Sequence, residues 1–193
     1  MAGLSGDLAD KQDADKLQGR NIDDAAPGDG EVLYWDDGTS KWKSKAIPVA
    51  DISCCVHRSA DKAIADATTV LIDFDVEDWD TDGCHDNVTN NDRLTCKTAG
   101  KYLLTANIQF AANSTGTRGL YFYKYTDSEV WIASFTTPTP AAPIPARCIL
   151  LRLIDLAVDD YVFMKVYQDS GGSLNLTRNA DYSVYFSMVK MPG

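Results

Sequence analysis

Three features predict an all-β antiparallel sandwich, preceded by a short N-terminal helix and a β-hairpin extension. The first is strict alternation in "KYLLTANIQF": Tyr102, Leu104, Ala106, Ile108 and Phe110 fall on one side and Leu103, Thr105, Asn107 and Gln109 on the other. A period of two is that of a strand with one buried face. The second is punctuation. Runs such as "TTVLIDFDV", "DRLTCK", "RGLYFYKYT", "VWIASFTT", "CILLRLIDLAV", "YVFMKVYQ" and "DYSVYFSMVKM" are separated at short intervals by Gly, Asn, Asp and Pro. The third is that no segment after residue 48 carries a helical apolar stripe.

The elements divide at residue 47. Residues 7–18 read as a polar helix, capped by Ser5 and followed by Gly19, with a thin stripe of Leu8, Ala14 and Leu17. "EVLYW", "DDGTS" and "KWK" then read as strand, turn and returning strand, with Trp35 and Trp42 packed across the hairpin. An isolated hairpin is marginal in water, so residues 1–47 need a partner surface, either their own domain or an inter-subunit stem. Residues 48–193 carry the core. Within it, "CILLRLI" and "YVFMKVY" are apolar on both faces, and a sandwich strand with a greasy outer face needs cover from another chain.

Composition narrows the function. The 193 residues carry a net charge of −10, which opposes nucleic-acid binding because phosphates require Lys and Arg. No stretch approaches the roughly 20 apolar residues that would insert in a bilayer. "MAGLSGDLADKQDADKLQG" has neither a basic lead nor an apolar run of signal length, so ordinary secretion is not expected. The five cysteines lack C-x-x-C spacing, and reduced, buried thiols are expected instead of zinc ligands.

The run "VLIDFDV … CHDNVTNNDRLTCKTAGKYLLTANIQF" resembles the signature of the C1q-like domain, a jelly roll related to tumour necrosis factor. The resemblance rests on Phe74-Asp75, His85-Asp86, the turn at Asn90-Asn91, Leu94-Thr95-Cys96 and Ala99-Gly100-Lys101-Tyr102, with Phe186 in the closing strand. It covers roughly residues 51–193 and implies a C1q/TNF-like jelly-roll homotrimer, its greasy strand faces buried around a three-fold axis. Phe74, Tyr102, Leu104, Ile108, Phe110, Tyr121, Tyr123, Tyr161, Phe163 and Phe186 are the expected core or trimer-axis residues. In the other reading of the tyrosine stripe, an exposed Tyr121, Tyr123 and Tyr125 would stack on sugar or protein.

The preceding segment resembles one that recurs in bacteriophage fibre and virion-appendage proteins. Leu17-Gln18-Gly19-Arg20, Pro27, Asp29-Gly30, Val32-Leu33, Trp35 and Lys41-Trp42 carry this likeness. It implies a phage virion protein, a short trimeric fibre, spike or capsid decoration protein, assembled in the bacterial cytoplasm. Leu8, Leu17, Arg20, Val32, Leu33, Trp35 and Trp42 would anchor it to capsid or tail proteins, and a host surface glycan or protein is the candidate ligand of the head. The alternative is a soluble C1q-like ligand or carbohydrate-binding lectin outside any virion.

Two polar features bear on chemistry. In "DVEDWDTDGCHDN", Asp78, Asp80, Asp82 and Asp86 have part of a calcium-loop spacing, but Thr89 stands where the bidentate Glu belongs. Calcium is therefore the one cofactor the sequence suggests, against the reading of a solvated acidic loop. Catalysis has little basis: His57 and His85 are the only histidines, neither lies in a nucleophile motif, and no enzyme is expected.

Overall fold

The computed structural model describes residues 16–17, 20–21, 31–46, 51–139, 144–179 and 184–192, and divides into two units, Met1–Ala50 and Asp51–Gly193. All regular structure among the described residues is β.

In the first unit, β1 (Lys16–Leu17) pairs antiparallel with β2 (Arg20–Asn21). The helix expected over 7–18 is thus contradicted at Lys16 and Leu17, and the remainder, Leu8 included, lies outside the described residues. A stripe of three apolar residues gives a helix little to bury, whereas pairing satisfies backbone groups directly. The expected hairpin forms from β3 (Glu31–Asp36) and β4 (Lys41–Ala46). Asp36 Oδ1 accepts the Gly38 amide at 2.9 Å, and Ser40 takes a left-handed φ of 53°. Trp35 lies directly opposite Trp42, edge to face at 5.8 Å, and the Arg20 guanidinium sits 4.2 Å from the Trp35 ring centre.

The second unit comprises β5 (Ser53–His57), β6 (Lys62–Ile64), β7 (Thr68–Leu71), β8 (Val76–Asp80), β9 (Arg93–Thr95), β10 (Gly100–Phe110), β11 (Thr117–Tyr125), β12 (Glu129–Pro138), β13 (Ala146–Leu156), β14 (Tyr161–Gln168), β15 (Leu174–Leu176) and β16 (Tyr185–Lys190). They form two antiparallel sheets. One runs β6-β15-β10-β16-β5-β8, with β13 on the other flank of β10; the second runs β12-β11-β14-β7, with β9 also on β14.

Alternation decides what lies between the sheets. Tyr102, Leu104, Ala106, Ile108 and Phe110 of β10 face Leu120 and Phe122 of β11 and Val162, Met164 and Val166 of β14 in one core. Phe186 joins the sheets: its ring lies 5.3 Å from Phe122 and 6.1 Å, stacked, from Phe74. Removing such a ring from a closed core costs about 3–5 kcal/mol. Phe74, Tyr102, Leu104, Ile108, Phe110 and Phe186 are fully buried. All five cysteines are buried and unbonded to one another. Burial raises the Cys55, Cys84 and Cys148 thiols to about 12, which leaves them inert small hydrophobes.

One charged group is also fully buried. Arg118 donates from Nη1 to the Thr115 and Thr117 carbonyls at 3.1 and 2.9 Å and rests against Phe110. It pins the β10–β11 turn. There Gly116 has φ of 77°, and a Cβ would lie 2.0 Å from the Asp169 carbonyl oxygen, so only glycine fits.

Candidate functional site

The outward positions of the second sheet gather the aromatic residues that the core does not hold. β11 turns Leu120 and Phe122 inward, which sends Tyr121, Tyr123 and Tyr125 out. β14 turns Val162, Met164 and Val166 inward and sends Tyr161, Phe163 and Lys165 out. Register then builds rows across the strands. Tyr123 lies opposite Phe163, which lies opposite Arg93; Tyr125 lies opposite Tyr161, which lies opposite Thr95; Tyr121 lies opposite Lys165, which lies opposite Leu71.

The rings use those rows. Tyr125 and Tyr161 stack at 4.8 Å with 11° between planes, and Tyr123 and Phe163 at 5.4 Å with 10°. Trp131 of β12 meets Tyr121 edge to face at 5.9 Å. Cations complete the surface: Lys165 Nζ is 4.5 Å from the Tyr123 ring centre and 2.5 Å from Glu129 Oε1. The Arg93 guanidinium lies 4.2 Å from the Tyr161 ring centre and, among the described residues, has no carboxylate partner. Its Nε is buried without a hydrogen-bond acceptor.

Two concavities meet here. One, of about 480 Å³, is lined by Tyr125, Tyr161, Phe163, Asp92, Glu129 and Lys165; the other, of about 390 Å³, by His85, Asp86, Thr89, Lys97, Asp159 and Tyr161. Both are bounded by Asn90, Arg93 and Tyr161. Asn90 holds a left-handed φ of 57°, which asparagine tolerates better than most residues.

Tyr121, Tyr123 and Tyr161, expected among core or trimer-axis residues, are therefore half-buried on this outer face and not in the core; Phe163 is buried on the same face by its neighbours. The reason is parity. Each strand already fills its inward positions with Leu, Phe, Val and Met. Arg93 and Lys165 were not singled out by sequence, since their meeting with the rings depends on strand register.

The acidic loop is built differently from the spacing that suggested it. Its first half is β8, a strand, with Asp78 at a bulge against β5. Asp78 accepts from Cys55 Sγ at 3.6 Å and meets His57 Nδ1 at 3.1 Å. Asp80 accepts the Asp82 and His85 amides at 3.1 and 2.9 Å, and Asp86 the Val88 and Thr89 amides at 2.8 and 3.0 Å. Asp82 keeps one buried oxygen without a hydrogen-bond partner. The structure does not bring the four carboxylates together, and no three acidic, His or Cys side chains among the described residues are grouped as a metal ion would need. His85 and Asp86 do not form an acid–base pair either. The His85 ring bridges Glu77 Oε1 at 3.0 Å and the Asn91 carbonyl at 3.3 Å.

Of the residues expected to anchor the chain, Arg20, Val32 and Leu33 are exposed, and Trp35 and Trp42 are half-buried against each other. Leu17 lies in β1.

On the opposite sheet, β13 carries the two-faced character read from its sequence. Cys148 and Leu150 face the core, while Ile149, Leu151 and Leu153 point out and are 50, 58 and 50% exposed.

No protein-family model matches the chain, and no curated protein matches it in sequence. Solved structures do. Eiger TNF from S. frugiperda superposes with a TM-score of 0.54 at 14% identity, over 74% of this chain and 93% of its own. Murine APRIL gives 0.56 at 13% identity, over 73% and 99%, and the globular domain of zebrafish complement 1qA gives 0.52 at 14%, over 73% and 98%. At such identities the likeness is one of fold alone, and the fold of this chain is the TNF/C1q-like jelly roll.

Proposed function

We propose that the chain is a bacteriophage virion structural protein, a short trimeric fibre, spike or capsid decoration protein that displays its jelly-roll head on the particle. The observation that carries the assembly half of this reading is the outer face of β13. Ile149, Leu151 and Leu153 make a continuous apolar row, each at least half exposed, beside Leu103 of β10. A row of this kind on a folded domain asks for a partner, and a second and third copy of the same chain supply a matching surface. The virion half rests on the segment from Leu17 to Trp42 and its likeness to phage appendage proteins. In that segment the hairpin exposes Val32, Leu33 and Tyr34, which offers an apolar surface to capsid or tail proteins.

Proteomics and imaging of purified particles from the source test the reading. The chain is expected among virion proteins, at copy numbers divisible by three; its absence overturns the proposal. The competing reading, a free C1q-like ligand or lectin, draws on the aromatic cleft and predicts the chain outside particles.

A further inference from the structure

We infer that the double cleft around Arg93 is a binding site for a saccharide bearing an anionic group. The inference deepens the proposed display role: it names the chemistry of the surface ligand such a head would take.

Shape comes first. Two adjoining hollows of about 390 and 480 Å³ share one ridge, formed by Asn90, Arg93 and Tyr161. Sites for small ligands run from about 300 to 1,000 Å³, so each hollow suits a sugar unit and the ridge a linkage between them. The lining comes second. Sugars present C–H faces and hydroxyls together, and Tyr125, Tyr161 and Phe163 offer apolar rings beside Asn90, Asp92 and Glu129, which supply donors and acceptors. A lipid or an apolar peptide would leave those polar groups dry. The sandwich itself does not need this surface, because its core is already closed by the inward positions of β11 and β14.

Charge comes third. In a chain of net charge −10, several basic side chains of the head are committed to carboxylates, as Lys62 and Arg58 are to Asp73, Lys124 to Asp160 and Lys165 to Glu129. Arg93 rests on the Tyr161 ring and sits at the junction of both hollows. Lys97 lines the smaller hollow and is exposed. A planar guanidinium so placed is suited to a two-pronged hold on a carboxylate or phosphate.

The test uses the purified full chain on a microarray of bacterial surface glycans containing neutral, uronic-acid-bearing and phosphate-bearing members. Anionic glycans are expected to be retained, and neutral ones of like backbone to bind about tenfold or more weakly, the scale of one charge-assisted hydrogen bond. Preference for uronic acid or for glycosyl phosphate identifies the source of the charge, and either supports the site. Arg93→Gln should abolish the preference. Lys101→Gln, which removes an exposed charge from the other sheet, should leave it intact. Hydrogen exchange provides a readout independent of variants, with a retained glycan expected to protect residues 90–95 and 161–165. Retention of no glycan, equal retention of neutral and anionic ones, full competition by inorganic phosphate alone, or protection elsewhere overturns the inference. A chain found in particles that binds no glycan sinks the site and spares the virion role; binding by a chain absent from particles does the reverse.

Discussion

Leu103 stands directly opposite Leu153 across the β10–β13 pair, and neither points into the core. Tyr102 and Leu104, on either side of Leu103, are buried, so the sandwich is complete without the outward pair. With Leu151 one row along, they form the face assigned to self-association. Fully burying an exposed leucine is worth about 1.5–3 kcal/mol, and Leu151 and Leu153, 58 and 50% exposed, have roughly half of that left to gain in an assembly. The double substitution Leu151→Asp, Leu153→Asp is therefore expected to yield monomers with an unchanged β circular dichroism spectrum, while the parent chain gives the mass of a trimer in light scattering. A monomeric parent, or a variant that keeps the trimer mass, contradicts the assignment.

Inside the head, Lys124 Nζ meets Asp160 Oδ2 at 2.6 Å with both side chains mostly covered. Asp160 also accepts the Ala157 amide at 2.8 Å, and Lys124 donates to the Asp155 carbonyl at 3.1 Å. The pair thus ties β11 to the turn between β13 and β14, where Asp159 takes a φ of 68°. Removing one partner of a buried pair costs about 3–5 kcal/mol, because the other charge is left stranded. Asp160→Ala should lower stability in urea unfolding by that amount, and adding Lys124→Met should recover part of it. A loss below about 1 kcal/mol would place the pair among the weak surface bridges.

The sandwich was legible because alternation leaves a direct imprint: the five inward residues of β10 and the six-residue closing strand are visible in the letters alone. β8 was not. "VEDWD" looks like loop because its carboxylates suit turns, yet pairing with β5 holds it extended and a bulge at Asp78 re-aims one of them. β5 was missed for the opposite reason: "SCCVH" has no alternation, its first four residues being buried. The tyrosine stripe was visible, but its side was not, since parity fixes only that Tyr121, Tyr123 and Tyr125 share a face. Which face is inward depends on the sheet opposite. Arg93 was illegible for a stronger reason. Its partners, Phe163 directly across and Tyr161 diagonally, lie some seventy residues away, and nothing local marks the meeting.

The carboxylates of the acidic stretch bear on cation binding. Asp80 and Asp86 spend oxygens on four backbone amides, and Asp78 faces His57 and Cys55. A calcium ion wants six or more oxygens converging at about 2.3–2.6 Å, and gathering them here would break those turns. Melting temperatures in EDTA and in millimolar calcium are expected to coincide. A rise with calcium would require the loop to rearrange around an ion.

Asp73 gives the clearest pH dependence. Burial pushes its carboxyl upward, but hydrogen bonds from Lys62 and Arg58 outweigh it and bring the group down from 3.8 to about 2. The Arg58 contact measures 2.6 Å, and the same guanidinium donates to the Asp73 carbonyl at 2.8 Å. A folded value below the unfolded one means that ionised Asp73 favours the fold. That contribution is whole above 3.8 and is lost as the pH falls from 3.8 toward 2. Because the side chain is 36% exposed, solvent screens the pair and the effect on melting is modest. Asp73→Asn should melt below the parent at pH 6, and the two curves should draw together as the pH approaches 2. Curves that stay parallel over that interval would mean that Lys62 and Arg58 do not hold the carboxylate in solution.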